Sequence, residues 1–184
     1  GEYACIKDGK ITSAPFWQIE KTSADVAGDI ETVRKDVREL LLRSVERRMI
    51  SDVPLGAFLS GGIDSSAVVP LMSKVSAQPF HTFSITFDEK EYDESPYSKI
   101  SAAKYKTHHD SVRLTSNDFL AALPDALRAI DSPSGDGLNT YVVSKATRES
   151  GITVALSGLG GDELFAGYHY FDQWLRTRTG VTSR

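Results

Sequence analysis

Leu55-Gly56-Ala57-Phe58-Leu59-Ser60-Gly61-Gly62-Ile63-Asp64-Ser65-Ser66-Ala67-Val68-Val69 passes from a short apolar run, through Ser-Gly-Gly, into a second apolar run that opens with hydroxyls. Residues 54–59 have the length and apolarity of a buried strand, and Ala67 to Met72 read as the first turns of a helix. The two glycines allow a tight turn and leave no side chain in the way. Freed N–H groups and the positive end of the helix dipole then face an anion, a phosphate above all. Ser60, Ser65 and Ser66 add O–H donors, and Asp64 is a carboxylate of the kind a bound Mg²⁺ uses. The Gly-Lys-Ser/Thr ending of the Walker loop is absent, so this is a different phosphate-binding solution.

Outward from that loop, strands and helices alternate. Residues 80–87 are a β-branched and aromatic run that predicts a second strand, and 108–114 and 151–156 read as a third and a fourth. Helices are predicted from Ser95-Pro96 to Tyr105, over 117–130 with Pro124 near a break, and over 139–149. Such alternation implies parallel βαβ units and an open, doubly wound α/β sheet with helices on both faces. Upstream, Ile30, Val33, Val37, Leu40, Leu41 and Val45 recur at helical spacing and predict a helix from Asp29 with one buried face. Its Arg43, Arg47 and Arg48 suit a solvated C-terminal end. Asp8-Gly9 predicts a hairpin, with Phe16 and Trp17 anchoring this arm on a neighbour and Cys5 in its apolar core. Residues 21–28 read as a polar linker, and the stretch after Tyr170 lacks apolar periodicity.

A second loop mirrors the first. The strand at 151–156 ends in Ser157-Gly158-Leu159-Gly160-Gly161-Asp162-Glu163. In a parallel sheet both loops lie at the carboxyl edge, where ligands bind. Asp64 and Asp162 are therefore expected to share one Mg²⁺ together with phosphate oxygens. His108 and His109 lack partners at metal-ligand spacing and read as strand-end residues. Asp93 and Glu94 suit a helix cap, and Asp131 and Asp136 are equally turn formers or substrate contacts.

Composition narrows the function classes. The chain has 184 residues, 40% apolar and 25% charged, with net charge −4. That size suits about one domain, and that charge disfavours nucleic acid as a partner. No apolar run approaches a membrane span, and no signal peptide opens the chain. One cysteine excludes an internal disulfide and fits a reducing cytoplasm. A start at Gly1 suggests a piece of something longer.

Ser60 to Ser66 resembles the pyrophosphate loop of the N-type ATP pyrophosphatases. Ser51-Asp52-Val53-Pro54-Leu55-Gly56, His81-Thr82-Phe83-Ser84-Ile85, Thr107-His108-His109 and above all Val154 to Tyr168 are similar to the glutamine-hydrolysing asparagine synthetases. The resemblance covers about 30–172. It implies an adenine nucleotide alpha hydrolase-like fold, with 1–28 the end of a glutaminase domain and linker, 29–172 the synthetase domain, and 173–184 a truncated tail. It implies ATP and Mg²⁺, with Asp64 and Asp162 as catalytic and metal residues. The nucleotide would be held by Phe58, Leu59, Ser60, Gly61, Gly62, Asp64, Ser65, Ser66, Ile85, Ser157 and Gly158. Phe58 or Leu59 with Ile85 would pack the adenine, and Gly158 would admit it closely.

The reaction so implied is adenylation of a carboxylate, aspartate in the family, with release of pyrophosphate. Ammonia from glutamine then gives the amide and AMP. The partners implied are these small molecules and the N-terminal glutaminase domain, and a homodimer stays open. Where well-studied family members carry an acidic residue, this chain has Leu159, which accepts no proton. A different acid substrate, as in relatives that close rings, therefore remains an alternative. A family lysine lies beyond residue 184, so this stretch alone is expected to bind nucleotide without turnover.

Overall fold

The structure, a computed structural model, describes residues 1–18, 29–87, 94–132 and 134–179. The linker expected at 21–28, the acidic run with Asp93, and Arg184 lie outside the described residues. The chain divides into two compact units, Gly1–Arg38 and Glu39–Arg184.

In the first unit, β1 (Glu2–Lys7) and β2 (Lys10–Pro15) form an antiparallel hairpin in register from Glu2↔Pro15 to Lys7↔Lys10. Asp8 and Gly9 both take positive φ, 50° and 72°. That pair of left-handed residues gives the turn whose twist matches the strands, as Asp8-Gly9 predicts. The Gly1 ammonium donates to Trp17 O at 2.5 Å, and the N–H groups of Phe16 and Trp17 donate to Gly1 O. One expectation is corrected here. Cys5 is exposed rather than a core residue, as is every residue of β1. Phe16 and Trp17 are exposed.

Four strands make the main sheet: β3 (Leu55–Phe58), β4 (His81–Phe87), β5 (His108–Leu114) and β6 (Val154–Leu156). Their order is β5-β4-β3-β6 and every pairing is parallel. Helices α2 (Ile63–Val75) and α3 (Ser95–Tyr105) carry the chain from β3 to β4 and on to β5. Helices α4 (Ser116–Ala129) and α5 (Gly137–Glu149) carry it back past β3 to β6. Right-handed crossovers in opposite directions put the two helix pairs on opposite faces. In keeping with this, α2 packs against α3 and α4 against α5. The doubly wound sheet is thus present, and its winding reverses between β3 and β6, the pair whose carboxyl ends carry the two glycine-rich loops.

Parallel register sets which residues share a face. Ala57 lies beside Thr82 and Leu156. On that face Ala57, Leu59, Val69, Met72, Ala102 and Leu156 form the core, joined by Val45. Leu59, Val69 and Met72 are fully buried. Each contributes about 1.5–3 kcal/mol of hydrophobic stabilisation. They fix the loop between β3 and α2 at both ends.

Thr82 and Ser84 are polar yet buried in the same layer. They are satisfied across the β4–β5 ladder by His109, whose Nδ1 is 3.0 Å from Thr82 Oγ1 and whose Nε2 is 3.2 Å from Ser84 Oγ. Thr107 and Ser111 complete the cluster. His109 is therefore a half-buried cross-strand tie, the structural strand role expected for it.

Three elements differ from expectation. Helix α1 (Ile30–Arg48) starts at Asp29, whose Oδ1 accepts the Thr32 N–H at 2.9 Å. That hydrogen bond holds the Asp29 carboxyl below the usual range. Of its apolar stripe only Val45 is buried, and Ile30 and Leu40 are exposed. Helix α4 runs through Pro124 without a break. It is started by a capping box in which Thr115 and Asp118 satisfy each other's backbone N–H. Finally, α7 (His169–Thr179) occupies the stretch without apolar periodicity. It is held along one side by Asp172 with Arg176 at 2.8 Å and by Arg178 over the Trp174 ring at 4.6 Å.

Candidate active site

The first loop is tied by its own hydroxyls. Ser60 Oγ accepts the Gly62 N–H at 3.2 Å and lies 3.0 Å from Ser65 Oγ, which donates to Gly62 O at 3.2 Å. Gly61 takes φ 105°, and a Cβ there would sit 2.9 Å from Glu94 O. Only glycine fits both the angle and the gap. Gly62 caps α2 and offers no side-chain oxygen, so the N–H groups of the first turn carry no side-chain cap. These orphan donors, together with the helix dipole, favour an anion. Ser65 is buried and spends its hydroxyl on the loop, whereas the Ser66 hydroxyl has no hydrogen bond to any described residue. Of the three serines, Ser60 and Ser65 shape the cradle and Ser66 is free to face a ligand.

The second loop rests directly on the first. A Cβ on Gly158 would lie 2.6 Å from Ser65 N and 2.7 Å from the Asp64 carbonyl carbon. Gly158 is glycine because the backbone of α2 touches it there. A Cβ on Gly161 would overlap the Asp64 carboxylate. The half-buried Asp64 side chain thus lies against the residue that precedes Asp162. Ser157 Oγ accepts the Leu159 N–H at 3.0 Å and Gly161 donates to Gly158 O at 3.1 Å, closing the turn. Leu159 stands out from it, 88% exposed.

Asp162 sits in the short helix α6 (Gly161–Phe165), bounded by the left-handed residues Gly160 (φ 95°) and Ala166 (φ 57°). Its carbonyl accepts the Gly167 N–H at 3.0 Å, and a Cβ on Gly167 would overlap Asp162 Oδ1. Tyr168 then donates its hydroxyl to Glu163 Oε1 at 2.6 Å. That bond pulls Glu163 below its usual range and pushes Tyr168 up to about 12. Gly161, Gly167, Glu163 and Tyr168 belong to the second motif but not to the expected site set. The folded turn seats Gly161 on Asp64, Gly167 on Asp162 and the Tyr168 hydroxyl on Glu163.

A divalent cation fits this donor set. Asp64 and Asp162 are half-buried carboxylates on abutting loops, with no cationic or hydrogen-bond partner among the described residues. Among those residues no cluster of three or more acidic, His or Cys side chains could enclose a metal. Two carboxylates with the remaining positions left to phosphate and water is the Mg²⁺ pattern. The other expected contacts are spread out. Leu59 is enclosed in the core, and its N–H donates to Phe83 O at 2.7 Å. Phe58 faces the opposite side of the sheet, over a cavity of about 200 Å³ lined with Ser144, Thr147, Arg148 and Ile152. Ile85 lies half-buried near the carboxyl end of β4, two residues past the Phe58↔Phe83 pair. Asp136 is a turn former, accepting from Asn139 and Thr140 in the first turn of α5.

Residues 36–183 match the asparagine synthase family. A Methanocaldococcus jannaschii protein, provisionally named asparagine synthetase [glutamine-hydrolyzing] 2, is 45% identical over 76% of this chain. Asparagine synthetase [glutamine-hydrolyzing] 1 of Bacillus subtilis is 35% identical over 92% of it. The chain spans 27% of the length of each of these relatives. Among solved structures, NMN synthetase from Francisella tularensis superposes with TM-score 0.46 at 14% identity, covering 65% of this chain and 52% of that one. That likeness is too slight to add to what the strand pairing shows.

Proposed function

This chain belongs to the asparagine synthase family, and from that premise we propose that it is the ATP-cleaving part of an amide-forming ligase. The observation that carries the reading is the seating of Gly158 on the Asp64–Ser65 backbone. It joins an uncapped helix N-terminus and two carboxylates in one site. In this reading the first turn of α2 and the Ser66 hydroxyl bind the β- and γ-phosphates, and Asp64 and Asp162 hold Mg²⁺. When bound, the metal neutralises charge on the departing pyrophosphate.

A substrate carboxylate oxygen attacks the α-phosphorus, the bond from that phosphorus to the bridging oxygen breaks, and pyrophosphate leaves. The resulting acyl-adenylate is attacked by ammonia, which yields the amide, AMP and a proton. The chain's own contribution is positioning and fixed dipoles aimed at phosphate, with no covalent step on the protein. Aspartate is the acid of the first reading, with ammonia supplied from glutamine by a glutaminase domain of the complete protein.

Leu159 favours a second reading, in which a less polar acid is adenylated. Its side chain stands exposed on the loop beside Asp162, in a position the family resemblance assigns to an acidic residue. ATP–pyrophosphate exchange on the complete protein separates the two. Exchange that needs aspartate supports the first, and exchange only with another acid supports the second. No exchange with any acid, alongside ATP binding that survives Asp64→Asn, would overturn both.

A further inference from the structure

One left-handed residue and a hydroxyl fold the chain back over Asp162. Ala166 takes φ 57°, a left-handed conformation that non-glycine residues rarely adopt. It nonetheless turns the chain so that Gly167 lies directly above the Asp162 carboxylate, with no room for a Cβ. The next residue, Tyr168, reaches back five positions to donate to Glu163, the neighbour of Asp162. The Tyr168 ring is stacked on Tyr170 at 5.1 Å and lies against Phe171 at 6.1 Å, both on α7. The turn is therefore fastened at one end to α6 and at the other to α7.

Resting on the reading of Asp162 as a metal ligand, we infer that Tyr168 and Glu163 are positioning residues. Their hydrogen bond holds the 166–168 turn over Asp162 and so sets the direction of its carboxylate. A carboxylate on a five-residue helix between two left-handed residues has little else to orient it. Partners one shell out from a metal ligand typically change its affinity by tens of fold. The role is distinct from ligation. Glu163 serves through its acceptor oxygen, which an amide also supplies.

The test is Mn²⁺ binding in the presence of a nonhydrolysable ATP analogue, read by electron paramagnetic resonance on the complete protein. Circular dichroism checks that each variant is folded. Tyr168→Phe keeps the ring stack and removes only the donor, and it is expected to weaken Mn²⁺ roughly tenfold. Glu163→Ala should match it, the double variant should be no weaker than either single, and Glu163→Gln should stay near wild type. Wild-type affinity in Tyr168→Phe overturns the inference. So does strong loss in Glu163→Gln with none in Tyr168→Phe, which would make Glu163 a ligand. Failure of the underlying reading looks different: the wild type binds no Mn²⁺, or Asp162→Asn binds it unchanged.

Discussion

Gly158→Ala tests the contact on which the site depends. The new methyl carbon would lie 2.6 Å from Ser65 N, 2.7 Å from the Asp64 carbonyl carbon and 2.9 Å from Asp64 Cβ. Ordinary contact begins at 3.4 Å, so the closest pair is about 0.8 Å short. Two of the three atoms are backbone at the start of α2, and Val69 and Met72 anchor that helix in the core. They cannot swing aside, so the two loops must part by most of an ångström. Overpacking of this kind costs about 1–3 kcal/mol. That is roughly 3–10 °C in Tm for a domain of this size, measurable by circular dichroism. Misplacing reacting groups by about 1 Å costs on the order of a hundredfold in rate. ATP–pyrophosphate exchange on the complete protein should fall accordingly, with weaker binding of an ATP analogue. Gly135→Ala is the control, since nothing lies within 4 Å of its Cβ. Wild-type Tm together with wild-type exchange in Gly158→Ala would refute the abutting loops.

Gly61→Ala meets both a positive φ of 105° and the Glu94 carbonyl at 2.9 Å. It should lower Tm and weaken ATP-analogue binding in parallel, and loss of neither would show that the loop is not held this way. Burial among Thr82, Thr107, Ser84 and Ser111 pushes the His109 imidazole below its usual value, with Asp110 opposing and Lys99 reinforcing. The unfolded chain then takes up that proton first, so stability is lost as pH falls through 6.5 towards the folded value. Thermal melts should show a lower Tm at pH 5.5 than at pH 7.5, by roughly a few degrees, and His109→Gln should flatten that difference. Thr115→Ala removes one half of the α4 capping box and should cost about 1 kcal/mol, visible as a small drop in Tm with pyrophosphate exchange unchanged.

Much of this architecture is written locally. The run from Leu55 to Val69 specifies strand, turn and helix because its apolar residues, two glycines and hydroxyls permit little else. The same holds for Asp8-Gly9, whose left-handed pair closes the hairpin. Alternation of such units is enough to imply a parallel doubly wound sheet, because crossover handedness leaves few other arrangements. Burial is less local. Cys5, Ile30 and Leu40 look like core residues in the sequence, yet exposure depends on which layer covers them. Conversely, the polar Thr82 and Ser84 are buried because β5 brings His109 across to satisfy them.

At the site the division is sharper. The sequence by itself determined that two β-type runs each end in a Ser-Gly loop, and that each loop carries an aspartate. Those are properties of residue type and spacing. Only the tertiary structure decided that Gly158 seats on the α2 backbone, that the Asp64 carboxylate lies against Gly161, and that Tyr168 closes on Glu163 over the loop of Asp162. Each of these joins groups whose separation is set by strand pairing and by backbone angles in the left-handed region. Neither is encoded in the local pattern of side chains, so the cradle at Ser60–Gly61–Gly62 could be read from its residues but its partner's grip on it could not.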